Sequence, residues 1–63
     1  MIRVVVADDH AVVREGICRV LEATSAIVVV GQAADGREAV RVVRETHPDV
    51  AVLDIAMPEL DGI

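Results

Sequence analysis

Apolar residues in this chain form three short runs, and the stretches between the runs mix apolar and polar residues at helical spacing. The runs Ile2 to Ala7, Ile27 to Val30 and Val50 to Leu53 are too short for helices and rich in β-branched residues, so they predict buried strands. The stretches between them predict helices over Ala11 to Ala23 and over about Arg37 to Thr46. The predicted order is strand, helix, strand, helix, strand, with connections long enough for right-handed crossovers between parallel strands.

The first predicted helix is expected to cover the sheet with one apolar face. Helical spacing places four residues on that face: Val13, Ile17, Val20 and Leu21. Gly16 falls on the same side and lowers helix propensity, so we expect it to serve close packing on the sheet. Cys18 is expected to be a small packing residue of this helix.

The second predicted helix has a start signal and a stop signal. Asp35 is expected at its N-cap, and Glu38 three residues later resembles the acidic partner of a capping box. Pro48 disfavours helical geometry in the residue before it, so the helix is expected to end by His47, a loop residue. The predicted inner face consists of Ala39, Val40 and Val43.

The composition favours a parallel sheet and excludes several classes of binding protein. Of the 63 residues, 54% are apolar, fourteen are valine and none is aromatic. Valine-rich strands are typical of sheets covered on both faces, whereas the lack of aromatic side chains argues against base stacking and an aromatic interface. The single cysteine excludes an intramolecular disulfide, and no Cys/His spacing indicates structural zinc.

The charge balance limits the kinds of molecule that the chain is expected to bind. The net charge is −5, and all six cationic residues are arginine, so the chain lacks the basic patch of a nucleic-acid-binding protein. No apolar run approaches the ~20 residues that a transmembrane helix needs, and acidic residues follow Met1 too early for a signal peptide. We therefore expect no membrane association and a cytoplasmic location.

Carboxylates occur where a parallel sheet brings strand ends together. Asp8 and Asp9 follow the first predicted strand, and Asp54 follows the third. If these strands are neighbours, three carboxylates converge at the carboxyl edge of the sheet, where such folds form their sites. Like charges need compensation, and Mg²⁺ supplies it because it prefers oxygen ligands. A magnesium ion beside a carboxylate is the arrangement for transferring a phosphoryl group onto that carboxylate.

Two segments, VVVADDH at 4–10 and DIAMPELDG at 54–62, resemble the receiver domain of bacterial two-component response regulators. The first, followed by VREG at 13–16, is similar to the NarL/FixJ-type subfamily. The resemblance implies a flavodoxin-like, doubly wound α/β fold with a parallel sheet, here β-α-β-α-β in the strand order 2-1-3. It also implies a phosphoprotein of a phosphorelay that controls transcription, not a turnover enzyme but a domain that assists its own phosphorylation and dephosphorylation.

The same resemblance implies a role for each site residue. Asp54 matches the phosphoacceptor, which takes its phosphoryl group from a sensor histidine kinase. Asp9 matches the direct Mg²⁺ ligand, Asp8 the acid that holds the metal through water, and the backbone carbonyl of Ala56 completes the metal site. DNA would be contacted only through an output domain that lies outside this sequence.

The resemblance ends at Ile63, so residues 1–63 are expected to be the N-terminal half of a receiver domain. The family's Thr or Ser after the fourth strand and Lys after the fifth, which contact the phosphoryl group, have no counterpart here, and the chain contains no lysine. The alternative function is therefore a truncated fragment that does not signal and acts only as a structural or self-associating unit. In this strand order the third strand becomes an edge, which predicts a homo-oligomer through that strand.

Other phosphate-binding α/β classes fit the residues less well. A dinucleotide-binding half-domain needs G-x-G-x-x-G after the first strand, where this chain has ADDHA at 7–11. A haloacid dehalogenase-type phosphatase needs a second Asp two residues after the first, where this chain has Ala56. His10 could relay a phosphoryl group or bind a metal, but it is expected to be a solvated residue of the first helical turn. Asp8 and Asp9 could also cap that helix.

Overall fold

The computed structural model describes residues 1–54 and contains five elements in the predicted order. They are β1 (Ile2–Asp8), α1 (Ala11–Glu22), β2 (Ile27–Ala33), α2 (Gly36–Thr46) and β3 (Val50–Asp54). Every boundary except the end of β2 lies within one residue of its prediction. Within the described residues, neither helix combines the length and the apolar content needed to cross a membrane.

The three strands form one parallel sheet in the order β2-β1-β3, which confirms the predicted fold class. β1 is the central strand: its pairing with β2 begins with Ile2 opposite Ile27, and its pairing with β3 ends with Asp8 opposite Asp54. Residues 4–8 of β1 are all buried. The central position of β1 therefore carries its acidic end into the interior.

The two helices cover opposite faces of the sheet, and each face has its own apolar cluster. On the α1 face the buried members are Val4, Val6 and Cys18. On the α2 face they are Val5, Ala7, Ala33, Ala39 and Val42. Successive residues of β1 thus alternate between the two clusters, as the pleat of a strand requires. Burial on both faces explains the lack of polar alternation in β1 alone. β2 is half-buried over most of its length, and β3 is exposed at four of its five residues, so the prediction of a buried strand is wrong for β3.

β2 does not end at Val30, before Gly31, as the sequence predicted, but continues to Ala33. The prediction was wrong because the residues after Gly31 keep pairing with β1, and this pairing outweighs the low strand propensity of glycine. The register shifts by one residue at Val30, which forms a β-bulge. Val30 packs against the α2-face cluster, and a β-carbon at Gly31 would lie 2.5 Å from Cγ1 of Val42. The bulge therefore turns both residues toward α2, and only glycine fits at the second position.

The apolar face of α1 is narrower than predicted. Ile17 and Leu21 pack against the α1-face cluster and Cys18 is buried, as expected. Val13 and Val20 were predicted to share this face, but they are 46% and 72% exposed. The prediction was wrong at these positions because the buried face is centred near Leu21, between Ile17 and Cys18, which leaves both valines at its margin.

Gly16 was predicted to pack on the sheet, and this prediction was wrong. The residue is exposed, and among residues 1–54 a β-carbon built on it would meet nothing within 4 Å beyond the backbone of its own helix. The centre of the buried face, near Leu21, lies roughly 140° around the helix from Gly16. Gly16 therefore weakens α1 without serving a contact.

α2 begins with the predicted capping arrangement in a slightly altered form. The Asp35 side chain accepts a hydrogen bond from the backbone N–H of Glu38 at 2.8 Å. The Glu38 carboxylate reaches back to the N–H of Ala34 at 2.9 Å, one residue before the N-cap. Two backbone donors at the helix start are thus satisfied by side chains.

The inner face of α2 is buried at Ala39 and Val42, with Val43 packed beside them. Val40, predicted to lie inside, is 49% exposed, because one residue after Ala39 is a turn of about 100° away from the sheet. The helix ends at His47, which adopts a left-handed conformation with φ 49°. This cap donates its N–H to the carbonyl of Val43 at 2.9 Å.

Candidate functional site

The carboxyl ends of β1 and β3 meet at one edge of the sheet. Asp8 and Asp54 are register partners, so their side chains leave neighbouring strands, about 4.8 Å apart, on the same face. Asp9 follows Asp8 directly and leads toward α1. The structure thereby brings together the strand ends that carry all three predicted acids, which is the convergence that the sequence pattern required.

Asp8 is the most buried of these acids, with 1% of its surface exposed. Its Oδ1 accepts a hydrogen bond from the backbone N–H of His10 at 2.7 Å. Its Oδ2 has no hydrogen-bond partner within the described part of the chain. A buried carboxylate oxygen without a donor is costly, so this atom needs a partner that residues 1–54 do not supply.

His10 is more than a solvated residue of the first helical turn. Its side chain is 75% exposed, yet Nδ1 lies 2.9 Å from Oδ1 of Asp9 and 3.5 Å from Oδ1 of Asp8. The three residues each offer one ligand atom, and these atoms lie within 4.8 Å of one another. The side chain is therefore solvated, as predicted, and it also contacts both acids, a contact for which the adjacency of the three residues in ADDHA was the signal in the sequence.

Arg14 is a site residue that the sequence did not single out. Its Nη1 donates to the backbone carbonyl of Asp8 at 2.8 Å, and its Nε donates to Oε1 of Gln32 at 3.2 Å. This guanidinium joins the first turns of α1 to the ends of β1 and β2. A helical pattern places Arg14 away from the apolar face of α1, but it does not show which such arginine reaches a strand end.

Asp54 is exposed at the end of β3. Ala56, whose backbone carbonyl was predicted to complete the metal site, lies outside the described residues, as do Met57, Pro58, Asp61 and Gly62.

The residues at this edge fit a hard divalent cation. Asp8 and Asp9 supply carboxylate oxygens, the ligand type that Mg²⁺ prefers. The unpartnered Oδ2 of Asp8 is the specific observation, because a cation or its water would satisfy an atom that is otherwise buried without a donor. The side chains of Asp9 and His10 are 41% and 75% exposed, so an ion can reach the acids from solvent.

Comparison with protein families and known proteins gives a consistent result. Residues 4–63 match the family model described as the response regulator receiver domain. The chain is 51% identical over 61 residues to the uncharacterized transcriptional regulatory protein YhcZ of Bacillus subtilis, covering 97% of this chain and 28% of that protein. It is 49% identical over 63 residues to the transcriptional regulatory protein LiaR of the same organism, covering all of this chain and 30% of LiaR.

A solved structure agrees in fold. The signal receiver domain of the putative response regulator NarL from Mycobacterium tuberculosis superposes with a TM-score of 0.86 at 48% identity, over 97% of this chain and 49% of that one. The chain therefore spans about half of that solved chain and less than a third of the curated relatives it matches.

Proposed function

Because this chain belongs to the response regulator receiver domain family of two-component systems, we propose that it receives a phosphoryl group on Asp54. The single observation that carries this proposal is the register pairing of Asp54 with Asp8, whose buried Oδ2 has no partner in residues 1–54. The pairing puts an accessible carboxylate beside an acidic site that fits a cation. Residues 1–63 would then form the N-terminal half of a receiver domain.

The proposed transfer is a nucleophilic substitution at phosphorus. One carboxylate oxygen of Asp54 attacks the phosphorus atom and forms a P–O bond. The P–N bond of a donor phosphohistidine breaks at the same time, and the imidazole leaves with the electron pair and takes up a proton. With acetyl phosphate as donor, the bond that breaks is a P–O bond and the leaving group is acetate.

Mg²⁺ is the proposed cofactor, held by Asp9 directly, by Asp8 through water, by Asp54 and by the backbone carbonyl of Ala56. When bound, the ion neutralises charge on the phosphoryl oxygens. The chain's own residues prepare this site: the His10 N–H fixes one oxygen of Asp8 at 2.7 Å, and Arg14 anchors the Asp8 carbonyl at 2.8 Å. Both contacts hold the end of β1 in place before a phosphoryl donor arrives.

The proposed partner is a sensor histidine kinase, and α1 offers a surface for it. Val12 and Val20 on this helix are 83% and 72% exposed, and such exposed apolar side chains suit protein contact. We likewise propose that the chain is located in the cytoplasm. Control of transcription would require an output domain beyond this sequence, in line with the names of the relatives.

A purely structural fragment is the less favoured alternative. It gives no reason for three acids to converge at one sheet edge, where their repulsion destabilises the fold. It also does not explain why Oδ2 of Asp8 is buried without a hydrogen-bond partner in residues 1–54.

Phosphorylation in vitro tests the proposal. The chain is incubated with acetyl phosphate and excess Mg²⁺ and followed by intact mass and by a phosphate-affinity gel. We expect the added mass of one phosphoryl group, lost in Asp54→Asn. Labelling is expected to be slow, since the chain has no lysine to stabilise the transferring group, and a missing donor of this kind costs ~10²–10³ in rate.

The matched control is Asp35→Asn, because asparagine also caps helices and Asp35 lies at the end of neighbouring β2. This variant should be labelled like the wild type. Labelling that persists in Asp54→Asn, or a wild type that is never labelled while binding Mg²⁺, would contradict the proposal.

Self-association through β3 is a further proposal about partners. Within residues 1–54, β3 pairs with β1 alone, and Val50 and Leu53 are 48% and 53% exposed. No described residue of this strand is a lysine or a proline, the usual means of protecting an edge. A second copy pairing at this edge would satisfy its hydrogen-bonding groups and cover its apolar side chains.

A further inference from the structure

We propose that His10 is a metal ligand, so that Asp8, Asp9 and His10 together form a mixed nitrogen and oxygen site for an imidazole-preferring transition-metal ion, of which Zn²⁺ is the one we name. This inference extends the proposed metal site to a different class of cation. It shares Asp8 and Asp9 with the proposed magnesium site, and it requires neither Asp54 nor phosphoryl transfer.

The distances around His10 support one ion bound by all three residues. Nδ1 lies 2.9 Å from Oδ1 of Asp9 and 3.5 Å from Oδ1 of Asp8. For metal–ligand bonds of about 2.1 Å, neighbouring ligand atoms are separated by about 3.0 Å in an octahedral site and about 3.4 Å in a tetrahedral one. With the ring proton on Nε2, the Nδ1 lone pair faces the same space as the two carboxylate oxygens, so little movement brings all three atoms to a shared cation.

A second observation points to a ligand at this place. Asp8 is 1% exposed, and its Oδ2 has no partner among the described residues, although Oδ1 is fixed by the His10 N–H. Asp8, a member of this cluster, thus holds a buried oxygen without a hydrogen-bond partner in residues 1–54. Such an atom is stabilised by a cation far more than an exposed carboxylate would be.

The chemistry of the donor set selects the class of ion. Mg²⁺ prefers oxygen ligands and gains little from an imidazole, whereas Zn²⁺ and similar ions bind imidazole nitrogen well. An extra nitrogen ligand therefore raises the affinity for Zn²⁺ and leaves that for Mg²⁺ nearly unchanged. Zn²⁺ would occupy the acids in competition with Mg²⁺.

The His10 ring can be removed without removing a structural contact of α1. Although His10 is the N-cap residue, its side chain makes no capping hydrogen bond within the described structure. The hydrogen bond to Asp8 comes from its backbone N–H, which any residue except proline retains. His10→Ala is therefore expected to fold like the wild type, and circular dichroism checks this.

The test is a calorimetric titration of the chain with Zn²⁺ and, separately, with Mg²⁺, at fixed pH. We expect His10→Ala to weaken Zn²⁺ binding by about tenfold or more and to change Mg²⁺ binding less than twofold. The matched control is His47→Asn, which removes the other histidine while asparagine tolerates its left-handed backbone. This control should bind Zn²⁺ like the wild type.

Imidazole ¹⁵N chemical shifts give a second readout. Zn²⁺ should shift Nδ1 of His10 and leave His47 unchanged. Equal Zn²⁺ affinity in wild type and His10→Ala, or a shift confined to His47, would overturn the inference even if Asp54 is phosphorylated with Mg²⁺. Conversely, loss of phosphorylation with an intact His10-dependent Zn²⁺ site would overturn the proposed function alone.

Discussion

Gly31 of β2 and Val42 of α2 lie so close that a β-carbon on residue 31 would come 2.5 Å from Cγ1 of Val42. No larger residue fits there unless the helix moves away from the sheet. The bulge at Val30 creates this approach, and α2 depends on it to reach Ala33 and the other members of the α2-face cluster.

Gly31→Ala is expected to lower the free energy of unfolding by about 1–3 kcal/mol, because the added methyl group overpacks the α2 face. Urea denaturation followed by circular dichroism measures this change. Combining it with Val42→Ala should recover part of the loss, since the shorter side chain makes room. A double variant that loses the full sum of both single effects would show that the contact is not the cause.

Gly16→Ala tests the opposite case to Gly31→Ala, because Gly16 lies on an exposed surface of α1. Because residues 1–54 offer no neighbour within 4 Å of a β-carbon there outside the backbone of α1, only helix propensity changes. The free energy of unfolding should rise by about 0.5–1 kcal/mol in the same denaturation experiment. A destabilised variant would mean that this face of α1 is covered by something in solution.

Asp8→Asn is expected to stabilise the metal-free chain by about 1–3 kcal/mol. Asparagine keeps an oxygen for the His10 N–H and removes a buried negative charge beside Asp9 and Asp54. Urea denaturation in the presence of a chelator measures the gain. The same change should abolish any Mg²⁺-dependent rise in melting temperature. Asp9→Asn, at a half-exposed position, is the control and should raise the metal-free stability less.

The free energy of unfolding is expected to depend on pH in the alkaline range because of the Cys18 thiol. Burial, followed by the negative charge of Glu22, raises the pKa of its thiol above the usual value of 9.0. The unfolded chain therefore loses this proton first, so the free energy of unfolding is highest below pH 9 and falls as the pH rises toward the folded pKa. Denaturation at several alkaline pH values should show this decline in the wild type. Cys18→Ala should lack it, and an identical slope in both would assign the decline to other groups.

Self-association through β3 is best tested at Leu53, not at Val52. Val52 packs against the α1-face cluster, so a charge there would damage the core, whereas Leu53 is 53% exposed. We expect sedimentation velocity to show concentration-dependent dimers for the wild type and monomers for Leu53→Lys. Val20→Lys, a change on the exposed side of α1, should still form dimers. A wild type that stays monomeric at tens of micromolar would refute the proposal.

The elements that the sequence predicted well are those whose signals are local. The bounds of α2 follow from Asp35 and Glu38, whose cap contacts form within one turn. The three apolar runs likewise mark strands by composition alone. These signals need no knowledge of what packs against them.

The errors share a different origin, which is tertiary packing. Gly31 reads as a strand end, but its pairing with β1 and its fit against Val42 keep it inside β2. Gly16 reads as a packing residue, but α1 packs on the sheet through Ile17, Cys18 and Leu21, which leaves Gly16 outside. For the site, the three acids were identifiable from their positions at strand ends. The contacts of His10 and Arg14 depend on how α1 departs from β1, which no spacing in the sequence reveals.

The central position of β1 has a consequence for the order of synthesis. β1 leaves the ribosome first, yet Ile2 pairs with Ile27 and Val4 pairs with Val50, so neither edge of the strand finds its partner nearby in the chain. At ~5–20 residues per second, this apolar segment waits seconds for β2 and longer for β3. An unpaired run of β-branched residues without proline is prone to aggregate. The strand that is most buried in the folded protein therefore stays unpaired during synthesis until β2 and β3 have emerged.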